Sequence, residues 1–218
     1  MKWINTKVEF AWDSKKQKYV ETDVQGYHYS GPIAQCGAPE SFGAGELVSI
    51  SGSLEGISHV SMSVGDVVLS ADITGLPDTD VASEYLLWNY TGSAGISSQV
   101  TLATSSVESI TTHSRAPADA GMYSLVCENG RTDDILVTEA HPLLVWSGSA
   151  DGNVTGSGIW YFEYAEDIHP DFKLLSSSLE PIDITSITEF TGSVTQSFFR
   201  FDVEPYDVYF VEGILVHN

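Results

Sequence analysis

Apolar and polar residues alternate along most of this chain, and apolar residues almost nowhere recur at helical spacing. Val8, Phe10 and Trp12 alternate with polar neighbours. The run Asp13-Ser14-Lys15-Lys16-Gln17-Lys18 then turns, and a second extended run starts at Tyr19 and reaches Gly26-Tyr27-His28-Tyr29. This pattern predicts a β-hairpin over residues 4–29. Residues 30–45, SGPIAQCGAPESFGAG, are dense in Gly, Pro and Ala and read as a linker. From residue 46 onward short strands are expected: Leu47, Val48 and Ile50, a turn at Ser51-Gly52-Ser53, and an alternation through Ile57, Val60, Met62 and Val64. Gly65-Asp66 then turns the chain into a strand at Val67-Val68-Leu69. Ser, Thr and Gly recur roughly every 8–12 residues, the punctuation of a compact fold of many short strands. One short segment, Asp80 to Tyr90, has a helical pattern. The fold class expected is all-β, a hairpin arm followed by a compact β-domain.

Composition narrows the function classes. A chain of 218 residues that is 42% hydrophobic, with 5 Trp, 10 Tyr and 9 Phe, has the means to bury a core and is not a disordered polymer. Thirty acidic against nine basic residues give a net charge of −21, which repels phosphate backbones and anionic lipid alike. Nucleic acid and membrane surfaces are therefore excluded as partners. The charge is uneven: Lys2, Lys7, Lys15, Lys16 and Lys18 balance Glu9, Asp13, Glu21, Asp23 and Glu40, so the whole excess falls in residues 41–218. That asymmetry sets an expected boundary near residue 40, with an arm and linker at 1–40 and a domain at 41–218. Cys36 and Cys127 are too few for a disulfide scaffold or a zinc module and suit a reducing compartment. No apolar run is long enough to span a bilayer, and MKWINTKVEF lacks the apolar core of an export signal, so a soluble, cytoplasmically made protein is expected.

Three stretches carry the candidate chemistry. The first runs from Ser41-Phe42-Gly43-Ala44-Gly45-Glu46-Leu47-Val48 through Gly52-Ser53 and Ile57 to Val64-Gly65-Asp66-Val67-Val68-Leu69-Ser70. The second is Val137-Thr138-Glu139-Ala140-His141-Pro142-Leu143-Leu144-Val145. The third runs from Val203-Glu204 to Tyr209-Phe210-Val211-Glu212-Gly213-Ile214-Leu215-Val216-His217-Asn218. In order and spacing they resemble the opening, T-x-x-H and closing His-Asn blocks of Hint domains, the fold shared by inteins and the hedgehog autoprocessing domain.

The residue types suit self-cleavage on their own terms. A serine hydroxyl can attack the carbonyl before it and turn the Glu40–Ser41 amide into an ester. A Thr and a His three residues apart at a strand-turn can hydrogen-bond the changing atoms and protonate the leaving amine. The resemblance assigns those roles to Thr138 and His141, and it gives Asn218 the role of cyclising onto its own carbonyl with His217 assisting. Departures accompany it. Ser41 stands where Cys is usual, Glu46 where Thr is usual, Arg200 where the closing block has an Asp, and Asp207 where it has a His. Because the given sequence stops at Asn218, splicing is not expected, and any activity is self-cleavage rather than turnover.

Each residue also has a plain structural reading: Ser41 as a linker polar group, His141 as a core histidine fixing the turn before Pro142, His217 and Asn218 as a terminal cap pair. Other candidates are weaker. His28, His59, His113 and His169 lack metal-ligand spacing, Asp151-Gly152-Asn153 is a single acidic turn, and Gly43-Ala44-Gly45 lacks the helix and Lys of a phosphate loop. No cofactor is implied. The resemblance extends to tailed-bacteriophage proteins, which carry such domains at their C-termini, and the arm's Gly26-Tyr27-x-Tyr29-x-Gly31-Pro32 run is loosely similar to virion proteins. The function expected is a structural component of a phage particle, contacting other particle proteins through residues 1–40 in an oligomeric assembly and carrying a degenerate Hint domain. An active self-cleaving domain is the alternative. A carbohydrate- or receptor-binding module using Trp88, Tyr90, Trp146, Trp160, Tyr161 and Tyr164 is a second.

Overall fold

The computed structural model describes residues 7–13, 18–25, 42–43, 47–49, 56–58, 61–79, 81–116, 121–128, 134–148 and 157–218. The chain divides into two units, Met1–Cys36 and Gly37–Asn218. In the first, β1 (Lys7–Asp13) and β2 (Lys18–Gln25) pair antiparallel, with Asp13 opposite Lys18, Lys7 opposite Gln25, and a bulge between Glu9 and Phe10. This is the hairpin that the alternation predicts; its turn, residues 14–17, lies outside the described residues.

The second unit is a single antiparallel sheet of 15 described strands. In chain order these are β3 (Phe42–Gly43), β4 (Leu47–Ser49), β5 (Gly56–Ser58), β6 (Val67–Ile73), β7 (Asn89–Ser93), β8 (Val100–Arg115), β9 (Met122–Cys127) and β10 (Ile135–Thr138). They continue with β11 (Pro142–Gly148), β12 (Ser157–Tyr164), β13 (Lys173–Leu175), β14 (Pro181–Glu189), β15 (Gln196–Glu204), β16 (Val208–Val211) and β17 (Ile214–His217). Their lateral order is β5-β4-β16-β17-β11-β13-β14-β9-β10-β3-β15-β8-β6, with β12 also on β11 and β7 on β12. The path curls back on itself: Ser70 Oγ, on the last strand β6, donates 2.6 Å to the Val208 carbonyl on β16.

That curl gives the central strands two cores, one on each face. Tyr209, Val211, Ile214, Val216, Leu143 and Val145 pack into one cluster, and their sequence neighbours Val208, Phe210, Leu215, Leu144 and Trp146 into the other. Strands buried on both faces need no polar alternation, which is why 208–211, 214–216 and 142–146 are unbroken apolar runs. Each large side chain withdrawn there from water contributes about 1.5–3 kcal/mol. A tight two-residue turn joins β16 to β17, with Glu212 at φ 50° and Gly213 at φ 77°; both sit in the left-handed region that such hairpins demand.

Two expectations, and one alternative, give way to tertiary structure. Among the described residues, the alternation over Ile57–Val64 is a strand at 56–58 and ends in a turn, where Ser63 N–H donates to the Asp66 carboxylate at 2.8 Å and Asp66 N–H to the Ser63 carbonyl at 3.0 Å. That side-chain-closed turn leaves Val64 63% exposed while Met62 is buried. The helix expected over Asp80–Tyr90 shrinks to α1 (Ala82–Tyr85), because Asn89 onward is claimed by pairing with β12. The aromatic platform is also lost: Trp88, Trp146 and Trp160 are buried, with Trp88 Nε1 donating to the Thr74 carbonyl at 3.1 Å and Trp160 Nε1 to that of Ser93 at 3.4 Å. Only Tyr90, Tyr161 and Tyr164 of that set remain half-exposed.

Gly148 and Gly158 face one another across β11 and β12, and a β-carbon at Gly158 would lie 2.5 Å from the buried Trp146 ring and 2.6 Å from the Ser147 carbonyl. Neither obstacle can move aside in a packed interior. Gly158→Ala is therefore expected to lower stability by about 1–3 kcal/mol, read as a fall in the urea midpoint at constant slope. Gly95→Ala, whose nearest contact would be at 3.9 Å, should change the midpoint little. Equal midpoints for both variants would contradict this packing.

Candidate functional site

The T-x-x-H block sits where two strands meet at a tight turn. Thr138 ends β10, His141 precedes Pro142 at the start of β11, and both side chains are fully buried. Four main-chain hydrogen bonds pin the turn. His141 N–H reaches the Thr138 carbonyl at 3.1 Å, Glu139 N–H that of Gly121 at 2.9 Å, Glu166 N–H that of Glu139 at 3.1 Å, and Ala165 N–H that of His141 at 3.0 Å. The imidazole of His141 meets the ring of Phe42 edge-on, with centroids 4.2 Å apart. Phe42 is in turn held from both sides, opposite Val137 on β10 and Phe199 on β15. The fold thus fixes His141 against the residue that follows Ser41 in sequence. Ser41 itself, like Cys36, Ala44–Glu46, His28, His59 and Asp151–Asn153, lies outside the described residues.

The closing block ends beside the same turn. Leu143 pairs with Val216, so His141 and Asn218 lie at the same end of the β11–β17 pair. His217 and Asn218 are both fully buried. The His217 ring stacks on Tyr85, with centroids 3.8 Å apart, and meets Phe162 edge-on at 5.4 Å. Its Nδ1 lies 3.0 Å from the Asn218 main-chain oxygen. An oxygen acceptor there makes Nδ1 the protonated nitrogen, aimed at the carbonyl that a cyclising asparagine would attack. Asn218 N–H donates to the Asp207 carbonyl at 2.9 Å, and its side-chain Nδ2 donates to Asp202 Oδ1 at 3.3 Å.

The remaining sequence candidates fall as follows. Asp207, at φ 48°, is buried and turns the chain into β16; its carboxylate clusters with those of Asp78 and Glu204, their oxygens within 4.8 Å of one another. These are hard oxygen donors, of a kind that suits calcium or magnesium, but Asp78 and Glu204 are exposed and the trio alone defines no site. Arg200 lies opposite Thr111 on β15. His113 stacks on Phe198 at 5.6 Å and His169 meets Phe172 edge-on at 5.7 Å, so each is occupied with an aromatic neighbour. Cys127 is buried in β9. Asp202, Ser109 and Tyr85 were not among the sequence candidates. No local pattern singles out Asp202, because its partner Asn218 is reached only through the fold.

Acidic groups crowd the outer side of the T-x-x-H turn. Burial, and then the charges of Glu166, Glu189, Glu139 and Asp167, push the Tyr123 hydroxyl above its ordinary value. Burial also raises the Glu163 carboxyl. The Tyr164 N–H that donates to it at 3.1 Å opposes this, Asp167 adds to it, and His169 opposes it. Glu166 is raised by burial, by Asp167 and by Glu139. A carboxyl raised by folding contributes its stability below the ordinary glutamate value and loses it as pH climbs through the raised one. The domain should therefore gain thermal stability as pH falls from about 7.5 toward the ordinary glutamate value of 4.5. Glu163→Gln should raise the melting midpoint at the upper pH and shrink that gain; identical gains in both proteins would contradict the assignment.

No family model matches this chain, and no curated protein matches it. Solved structures do. The solution structure of a bacterial intein-like domain from Clostridium thermocellum is similar at a TM-score of 0.55 and 16% identity, covering 83% of this chain and 100% of that one. The crystal structure of a DnaB intein from Synechocystis sp. PCC 6803 is similar at a TM-score of 0.51 and 15% identity, covering 82% of this chain and 97% of that one. The Ssp DnaB mini-intein variant M86 gives a TM-score of 0.51 at 13% identity, over 82% and 92%. At such identities the likeness speaks for the fold alone: this chain has the all-β intein-like, or Hint, fold that its three sequence blocks imply.

Proposed function

We propose that residues 41–218 form a self-processing domain that cleaves the chain at Glu40–Ser41 and after Asn218. The observation that carries this reading is the set of four buried polar side chains at one end of β11 and β17. Thr138, His141, His217 and Asn218 have no exposure at all, yet they stand where apolar side chains would pack. Burying such groups is costly unless their hydrogen bonds are matched, and a domain kept only for its shape gains nothing from them. Chemistry on the flanking peptide bonds explains their retention.

At the first bond the Ser41 hydroxyl attacks the Glu40 carbonyl carbon. The new C–O bond replaces the C–N bond, and the hydroxyl proton ends on the freed Ser41 amine. Water then hydrolyses the ester and releases residues 1–40. The resemblance gives Thr138 and His141 the task of hydrogen-bonding the changing atoms, and the contact of His141 with Phe42 supports it. At the second bond, which a longer chain would possess, Asn218 Nδ2 attacks its own carbonyl while His217 Nδ1 donates to the developing oxyanion. On this reading the released hairpin is the passenger. A lone two-stranded hairpin is marginal in water, so its destination is a contact with other proteins, and the arm's resemblance to virion proteins makes a tailed-phage particle the assembly proposed for it.

Purified protein held at neutral pH should lose intact mass and yield a fragment beginning at Ser41, faster with hydroxylamine, which traps esters. Ser41→Ala should abolish the fragment, and His141→Ala should slow it by about 100-fold or more while unfolding cooperatively. Full-length mass that persists through prolonged incubation with hydroxylamine would overturn the N-terminal half of the proposal.

A further inference from the structure

The carboxamide of an asparagine is a poor nucleophile, because its nitrogen lone pair is delocalised into the carbonyl. It attacks only if it is held in line and loses a proton as the new bond forms. The resemblance places Asp207 where the closing block commonly has a His. The structure puts Asp207 at Asn218 through its main-chain carbonyl, while the Asp207 carboxylate clusters with Asp78 and Glu204. A different carboxylate touches the side chain: Asp202 Oδ1, 3.3 Å from Asn218 Nδ2.

Resting on the self-processing reading, we infer that Asp202 is the catalytic base for Asn218, the group that orients its amide nitrogen and receives its proton. Four observations support it. A carboxylate accepts hydrogen bonds and cannot donate them, so the Asn218 amide must present nitrogen, the attacking atom, to Asp202. The opposite end, Asn218 Oδ1, is buried with no hydrogen-bond partner among the described residues, so the amide is held by its nitrogen. Asp202 is itself oriented, since Ser109 Oγ, directly opposite across β8, donates to its second oxygen at 3.4 Å. The register shift between Asp202 and Val203 leaves Glu108 as the extra residue of β8, so a bulge lies beside the Ser109 that faces Asp202.

The step balances within these groups. Asn218 Nδ2 bonds to the Asn218 carbonyl carbon and passes a proton to Asp202. The bond from that carbon to the next residue's nitrogen breaks, and the leaving nitrogen takes the proton back from Asp202. Asp202 ends as it began, Asn218 is a cyclic imide, and the downstream segment leaves with a free amine.

The test uses the full chain extended past Asn218 by a short peptide, with peptide release followed by mass spectrometry and N-terminal cleavage and the thermal midpoint read in the same samples. Asp202→Asn, which preserves size, should slow release by about 100-fold without changing cleavage at Glu40–Ser41. Asp202→Glu should recover part of the rate, and Ser109→Ala should slow it only a few-fold. Release from Asp202→Asn at the unmodified rate overturns the role of Asp202 while leaving self-processing intact. No release from the unsubstituted extended chain overturns both the inference and the C-terminal half of the proposed function. Equal loss in Asp202→Asn and Asp202→Glu together with a lowered midpoint assigns Asp202 a structural role and overturns the inference as well.

Discussion

Strand β15 is the constraint on which this molecule depends. One edge pairs with β8 over the whole of Gln196–Glu204, and the other edge holds β3 at Phe198 and Phe199. Three residues beyond Phe199, Asp202 meets the side chain of Asn218. A single strand thus ties the segment that follows Ser41 to Asn218, at a separation of about 10 Å along the strand. The curl closed by Ser70 and Val208 then brings β16 and β17 under the same roof. Remove the pairing of β15 with β3, and His141 loses the Phe42 ring that it rests on.

The two-core arrangement explains how so much polar chemistry survives inside. Side chains on the central strands point alternately into one apolar cluster and the other, and those clusters supply the favourable term that offsets the burial of Thr138, His141, His217 and Asn218. The polar groups gather at strand ends: Thr138 at the end of β10, His141 just before β11, His217 at the end of β17 and Asn218 after it. The acidic crowd around Tyr123 lies on the outer side of the same T-x-x-H turn.

What could be read from sequence follows from the range of each interaction. The hairpin, the all-β class, the T-x-x-H turn and the closing strands are local patterns, set by alternation, turn residues and residue order. Asp202 was illegible because nothing in its neighbourhood marks it; its partner is sixteen residues away and is reached only after β16 and β17 fold back. The helix expected at Asp80–Tyr90 failed for a similar reason, since Asn89–Ser93 has a pairing partner in β12 that no local propensity reveals. The tryptophans fit a core or, as an alternative, a sugar platform, because aromatic residues at strand spacing look alike on either face, and the burial of Trp88, Trp146 and Trp160 decides for the core. The Ile57–Val64 alternation yielded to Asp66, whose carboxylate closes a turn that the apolar pattern cannot show.

The chemical state of residue 218 tests this account most directly. After the extended chain has reacted, the C-terminal peptide of the released domain can be sequenced by fragmentation mass spectrometry. The expected peptide ends in a cyclic imide at Asn218 and is lighter by one water than its hydrolysed counterpart, because the asparagine has cut its own chain. A peptide that ends in an ordinary asparagine carboxylate from the earliest time points, as an external protease would leave it, would contradict self-processing at this end of the fold.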